Sequence, residues 1–200
     1  MYKIQTRLLV MDHQEVYQKS EVKKIFTQVQ EYLKKTEVDL IPEKITSVYD
    51  YSRMIPRGIS SAEMPEWIYE FGKGNNGWWE TRPILLQVML IPPVVEKNGA
   101  VRPAIVTPKE FAIDQLWCVA TASPAINTLC GVGKAKTTAA INITQAISLT
   151  LGGEFTSGLR AKQSILSPFL QYWSFHRKDL GYQKDSIRKI KSFLRKNRFV

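Results

Sequence analysis

The sequence is poor in the residues that build metal centres and disulfide frameworks. It has two histidines, His13 and His176, and two cysteines, Cys118 and Cys130, in 200 residues. These four residues give no metal-ligand spacing along the chain. Two cysteines fit a reducing compartment better than a disulfide framework. We therefore expect no cofactor and no stabilising disulfides.

Long apolar runs and targeting segments are also missing. No run reaches the roughly 18–20 apolar residues that a membrane-spanning helix needs. Lys3 and Arg7 interrupt the apolar start of the chain, and no small-residue cleavage site follows. Hydrophobic residues make up 44% and charged residues 23% of the chain, as is usual for globular proteins. The sequence therefore predicts a single globular domain that is not secreted.

Catalytic motifs are the third absence. Gly-Val-Gly-Lys at residues 131–134 looks like the end of a phosphate-binding loop. However, Thr128 stands where the first glycine of that loop belongs, and Ala135 replaces the hydroxyl that binds Mg²⁺. No serine occupies a nucleophile-elbow context. An enzyme would need a site that the sequence does not reveal, so we predict a protein that is not an enzyme.

Positive charge is abundant and concentrated at one end. The net charge is +10, and residues 176–200 hold nine Lys or Arg against two Asp. Residues 185–197 show helical spacing, with Asp185 as the expected N-cap and apolar residues on one arc. A cationic arc of this kind favours polyanions such as nucleic acid or anionic lipid. The predicted binding residues are Lys184, Arg188, Lys189, Lys191, Arg195, Lys196 and Arg198.

Hydrophobic periodicity predicts the remaining elements. Residues 2–11 alternate as a strand, residues 21–35 carry one apolar helical stripe, and residues 83–95 are nearly all apolar, which is typical of a strand covered on both faces. A capping box predicts a helix over residues 108–121. Residues 139–151 alternate between apolar and polar side chains, which predicts the central strand.

These elements predict an α+β fold of one domain. We expect a mostly antiparallel sheet with two packed helices in residues 1–181, and a basic amphipathic C-terminal helix in residues 182–200. The basic arc of that helix could bind a partner, or it could remain solvated while the apolar arc packs on the domain.

One segment resembles a known family. Residues 4–10 form a strand pattern, residues 11–19 form a link, and Ser20-Glu21-Val22 opens the amphipathic helix that runs to residue 33. This arrangement resembles the core of rhabdovirus matrix proteins, as does the alternating stretch 139–151. The proline-rich budding motif and basic N-terminal arm of better-known members do not appear, which favours a member that infects plants.

The resemblance implies a viral structural protein that self-associates and binds ribonucleoprotein, anionic membrane or both. Nucleocapsid or RNA would be the partner, the protein would form homo-oligomers, and it would be found in the virion and in the host cytoplasm or nucleus. The alternative is a non-enzymatic RNA-binding subunit of a ribonucleoprotein, or an RNA-silencing suppressor. Neither hypothesis includes sequence-specific RNA recognition, because no base-reading motif is present.

Overall fold

The fold is described from a computed structural model of the chain. The described residues are 1–11, 19–48, 54–55, 58–60, 85–91, 94–99, 101–102, 105–106, 116–121, 135–157, 164–167 and 180–197. The stretch 131–134 and the residues His13, Cys130, His176 and Arg198 lie outside them.

The described elements are β1 (Tyr2–Met11), α1 (Lys19–Leu33), a short 3₁₀ helix (Lys34–Thr36), β2 (Val38–Val48), β3 (Met54–Ile55), β4 (Gly58–Ser60), β5 (Leu85–Ile91), β6 (Val94–Val95), β7 (Val101–Arg102), β8 (Ile105–Val106), β9 (Leu116–Thr121), α2 (Ala135–Thr150) and α3 (Lys184–Lys196). The predicted strand at residues 2–11 and the predicted helices at residues 21–35 and 185–197 are confirmed as β1, α1 and α3.

The main sheet is mostly parallel, so the predicted mostly antiparallel sheet is wrong. Its strand order is β2-β1-β5-β9-β8. The pairs β1–β2, β1–β5 and β5–β9 are parallel, and only β8 runs antiparallel, along β9. Parallel neighbours require a crossover connection, which α1 supplies between β1 and β2. A second small sheet has the order β3-β4-β6-β7.

The three described helices contribute to one core on the main sheet. From β1, alternate residues Ile4, Leu8 and Val10 are buried, which agrees with a strand that turns one face inward. The apolar stripe of α1 and apolar residues of α2 and α3 belong to the same cluster. β5 is buried on both faces from Leu86 to Ile91, as its continuous apolar run predicts.

Two predicted elements are wrong in type. Residues 139–151, the predicted central strand, lie in helix α2 and its C-terminal turn. Residues 116–121, predicted as the end of a helix, form β9. In α2 the side chains from 139 to 148 are all buried, whatever their polarity. The polar residues therefore mark no exposed face, and their alternation in sequence does not report the backbone period.

Helix α3 packs its apolar arc into the core. Ile190 and Leu194 are fully buried beside residues of β1, α1 and α2. The N-cap position is occupied by Gln183, and Asp185 lies in the first turn of the helix instead. In the described part of the chain, no helix has the length and hydropathy needed to span a bilayer.

Candidate functional site

Helix α2 buries several polar side chains in its C-terminal half. Gln145, Ser148 and Thr150 are 2%, 0% and 5% exposed. Burial of such groups is costly unless they form hydrogen bonds. These three residues are therefore candidates for a functional site.

Gln145 links α2 to the segment at residues 164–167. Its Nε2 atom donates to the carbonyl oxygens of Ile165 and Ser167, both at 2.8 Å. Primary amides carry two N–H groups, so these two bonds use the full donor capacity of the side chain. All three residues are buried.

Two pairs of hydroxyl groups add to the hydrogen bonds of Gln145. Ser148 Oγ lies 2.6 Å from the hydroxyl oxygen of Tyr182, and Thr156 Oγ1 lies 2.7 Å from Ser164 Oγ. Burial raises the pKa of Tyr182 above its ordinary value, and the bond to Ser148 offsets only part of that effect. The phenol is therefore held in its neutral form.

A glycine turn ends α2 and fixes the direction of the chain after it. Gly152 has φ +82°. Its N–H donates to Leu149 at 3.1 Å, and the N–H of Gly153 donates to Ser148 at 2.8 Å. This pair of bonds defines a Schellman motif. A Cβ atom on Gly152 would lie 2.9 Å from Cβ of Phe193, so the turn also lets α3 pack closely.

One nucleophilic side chain lies beside α2, but it is not activated. Cys118 on β9 is fully buried. Desolvation raises its pKa to about 12, against a smaller opposite effect of the hydrogen bond with Thr150. This thiol is therefore a packing group at neutral pH.

The chain that follows α2 borders an open groove. Its volume is about 520 Å³, and it is lined by residues 154–157 and by the first turns of α3. Phe155 is 47% exposed in this region. The groove also contains Glu154 and Lys189, whose charged atoms lie 2.5 Å apart.

The predicted polyanion-binding residues lie along α3, and several of them already contact this protein's own side chains. The contacts are Arg188–Asp185 at 3.3 Å, Lys189–Glu154 at 2.5 Å, Lys191–Glu37 at 2.5 Å and Arg195 Nε to the Tyr2 hydroxyl at 3.1 Å. Lys184 and Lys196 are exposed. The hydrogen bond from Lys191 lowers the pKa of Glu37.

These contacts reduce the positive charge that the arc offers to a partner. Exposed ion pairs contribute only about 0–1 kcal/mol, so an anionic partner could displace them. A second groove, of about 460 Å³, runs along this side of α3 and is lined by Lys184, Arg188, Lys191 and Arg195 among others. Binding of an anion by this arc stays a prediction.

Comparison with known proteins identifies the fold. No protein-family model and no curated protein matches the chain. Solved structures do match. Metalloproteinase-II from Bacteroides fragilis has a TM-score of 0.59 at 10% identity, covering 96% of this chain and 53% of that one. Archaemetzincin from Methanopyrus kandleri has a TM-score of 0.56 at 13% identity, covering 96% of each chain. A zinc-dependent peptidase from Methanocorpusculum labreanum has a TM-score of 0.59 at 7% identity, covering 92% of this chain and 99% of that one.

The chain shares its fold with these three proteins. It spans about half the length of the Bacteroides protein and nearly all of the two archaeal ones. The resemblance to rhabdovirus matrix proteins is therefore wrong, and so is the viral structural function that it implied. The RNA-binding alternative is contradicted as well, because these neighbours are peptidases. The prediction of a non-enzymatic protein is also contradicted, because these structural neighbours are peptidases.

Zinc, however, does not fit the residues of α2. Metzincins bind zinc through the motif H-E-x-x-H-x-x-G-x-x-H, in which the glycine follows the helix. When Gly152 is placed at that glycine, Gln145, Ala146, Leu149 and Phe155 stand at the His, Glu, His and His positions. None of these four is a usual zinc ligand, and both N–H groups of Gln145 are engaged by carbonyls.

The whole sequence supports the same conclusion. Two histidines in 200 residues cannot supply the three that the motif requires. Among the residues that the structure describes, no three His, Cys, Asp or Glu side chains come together as a metal site. We therefore derive no zinc chemistry for this chain.

Sequence reasoning missed the residues that matter at this site. Gln145, Ser148 and Tyr182 were not among the candidates, because their partners lie 20 or more residues away along the chain. The available signal was the pair Gly152-Gly153 after a stretch that mixes apolar and polar residues, which is also a helix-end signal.

Proposed function

We propose that this protein binds extended polypeptide segments by strand addition at the outer edge of β8, on the scaffold of the zinc peptidases but without a zinc ion on α2. The observation that carries the proposal is the difference between the two edges of the main sheet. Strand addition needs backbone N–H and C=O groups that no neighbouring strand already uses.

The β2 edge is closed where it begins. The N–H of Leu40 donates to Gln30 Oε1 at 3.0 Å, and Nε2 of the same glutamine donates to Asp39 Oδ1 at 2.9 Å. Two residues further on, Pro42 has no N–H to offer. A glutamine side chain and a proline thus occupy the positions that an added strand would need.

The β8 edge has a different environment. In the described part of the chain, β8 pairs with β9 and with no strand on its other side. It also lies next to α2, so a segment added to β8 would run beside the buried helix. An antiparallel edge strand can accept a ligand strand through main-chain hydrogen bonds.

The structural neighbours support the chemical class of the ligand. Peptidases act on polypeptides, and three of them share this fold. A polypeptide is therefore the ligand that the scaffold favours. The proposal includes no zinc-dependent cleavage, because α2 lacks the residues that hold the metal.

Backbone-methylated peptides test the proposal without altering the protein. An array of short, uncharged peptides first identifies a binder, and each of its amide nitrogens is then methylated in turn. Strand addition predicts that methylation at every second residue abolishes binding, because N–H groups alternate in direction along a strand. Equal tolerance at all positions would rule it out. Mass spectrometry of the same peptides, with zinc or with EDTA, should show no zinc-dependent cleavage.

Proline substitutions in the protein provide the second arm. Adjacent N–H groups of a strand point to opposite sides, so the N–H of either Ile105 or Val106 points outward, away from β9. Proline at that one position, Ile105→Pro or Val106→Pro, removes the outward N–H and keeps the ladder with β9. We expect that variant to fold and to lose peptide binding. Lys97→Pro is the matched control, because it lies in the turn that Gly99 N–H and Glu96 close with a 2.9 Å hydrogen bond.

A further inference from the structure

We infer that a hydrogen-bonded clasp has taken the place of the metal on α2. The clasp consists of Gln145 and Ser148 with their partners Ile165, Ser167 and Tyr182. It holds the C-terminal part of the chain against the helix. This inference does not depend on the proposed polypeptide binding.

The metal in a metzincin has a mechanical effect as well as a chemical one. Zinc bound by two histidines of the helix and by a third beyond the glycine joins the helix to the chain that follows it. With Gly152 at the glycine of the motif, Gln145 stands at the first histidine position of this protein. Its amide reaches the carbonyls of residues 20 and 22 positions later in the chain, so the cross-link starts from the same turn of the helix.

The clasp occupies one face of α2. Ile141, Gln145 and Ser148 follow each other at spacings of four and three residues, which places them on the same side of a helix. Ile141 packs in an apolar cluster with Ile165, Leu166 and Leu180. Apolar contacts therefore flank the two polar ones, and they exclude water from the bonds of Gln145.

The two polar contacts hold two different parts of the chain. Gln145 holds the segment 164–167, whereas Ser148 holds Tyr182 at the approach to α3. Those parts are also joined to each other, since the N–H of Ile165 donates to Gly181 at 2.8 Å. Loss of the Gln145 amide should therefore loosen the whole C-terminal part, rather than a single loop.

The first experiment asks whether stability depends on a metal. The metal content of the purified protein is measured by elemental analysis, and its Tm is recorded with EDTA and with added zinc. The clasp predicts less than stoichiometric zinc and an unchanged Tm. A bound equivalent of zinc whose removal lowers the Tm would overturn the inference.

The second experiment removes the clasp. Gln145→Met keeps a side chain of similar length but has no N–H donor, and it withdraws a partner from two buried carbonyls. We expect the Tm to fall by about 5 °C or more. Exchange of the amide hydrogens of Thr156 and Ile165, which bond to Leu166 and Gly181, should become faster. Gln28→Met on the exposed side of α1 is the matched control and should change neither.

A double-mutant cycle keeps the inference testable if Gln145→Met does not fold. Ser148→Ala and Tyr182→Phe each remove one hydroxyl of the 2.6 Å pair. The clasp predicts that the double variant loses clearly less stability than the two single losses added together. Strictly additive losses, or a Gln145→Met variant with the Tm and exchange rates of the parent, would overturn it. Peptide binding is measured in none of these three experiments, so failure here is distinct from failure of the proposed function.

Discussion

Gly152 shows how one residue without a side chain positions two helices. Its φ of +82° is unfavourable for other residues, and Phe193 of α3 occupies the space that a Cβ would need. Two separate costs therefore oppose any substitution at this position. The first is conformational, and the second is steric.

Gly99 allows these two costs to be separated. It has a similar φ of +78°, but among the described residues, its chain neighbours aside, no atom lies within 4 Å of its potential Cβ. We expect Gly99→Ala to lower the free energy of unfolding by about 1–2 kcal/mol, the conformational cost alone. Gly152→Ala should cost about 1–3 kcal/mol more, because α3 must shift. Chemical denaturation measures both, and equal losses would show that the contact with Phe193 has no energetic consequence.

Cys118 predicts how stability responds to alkaline pH. Its pKa rises from 9.0 in the unfolded reference to about 12 in the folded protein. Between these values the unfolded chain loses the thiol proton and the folded chain keeps it. The contribution of Cys118 to the free energy of unfolding is therefore fully present below pH 9 and is lost as the pH rises towards 12. The loss approaches ~1.4 kcal/mol per pH unit.

Cys118→Ala removes this contribution and leaves the other titrating groups unchanged. The free energy of unfolding of the variant should fall less steeply than that of the parent above pH 9. Urea denaturation at several pH values gives both slopes. Parallel curves would show that the buried thiol does not titrate as its surroundings imply.

At the scale of elements, sequence patterns identify the helices that have one solvent-exposed face. α1 and α3 are predictable because their apolar residues form a stripe and their charged residues lie outside that stripe. β5 is predictable because its apolar run is continuous and short. α2 is not, since a helix buried on all sides has no polar face to reveal its period.

Some features of the candidate site can be predicted from the sequence, and others cannot. The shortage of histidine is visible in the sequence, and it excludes a three-histidine zinc centre whatever the fold is. The role of Gln145 is not visible, because it depends on carbonyls that only the folded chain brings to 2.8 Å. Sheet direction was also missed, since strand patterns fix which residues face inward but not which strands are neighbours.

At the scale of the whole molecule, the remaining question is what the charge of +10 contributes. Charge of one sign accelerates the approach of oppositely charged partners and makes binding sensitive to salt. If this protein binds polypeptides, we expect acidic segments to bind more tightly than neutral ones. That preference should weaken as salt is added, because screening shortens the reach of exposed charges.

The distribution of the charge gives a sharper prediction than its total. Lys184→Glu with Lys196→Glu reverses two exposed charges on α3, and Lys23→Glu with Lys24→Glu reverses two exposed charges on α1. Both variants change the net charge by the same amount. If the arc on α3 attracts the ligand, the α3 variant should bind an acidic peptide several-fold more weakly than the α1 variant, in fluorescence anisotropy at low salt.

The affinity for a neutral peptide should be the same in both variants. Equal losses for the acidic peptide would mean that net charge alone attracts it, and that α3 has no special part in recognition.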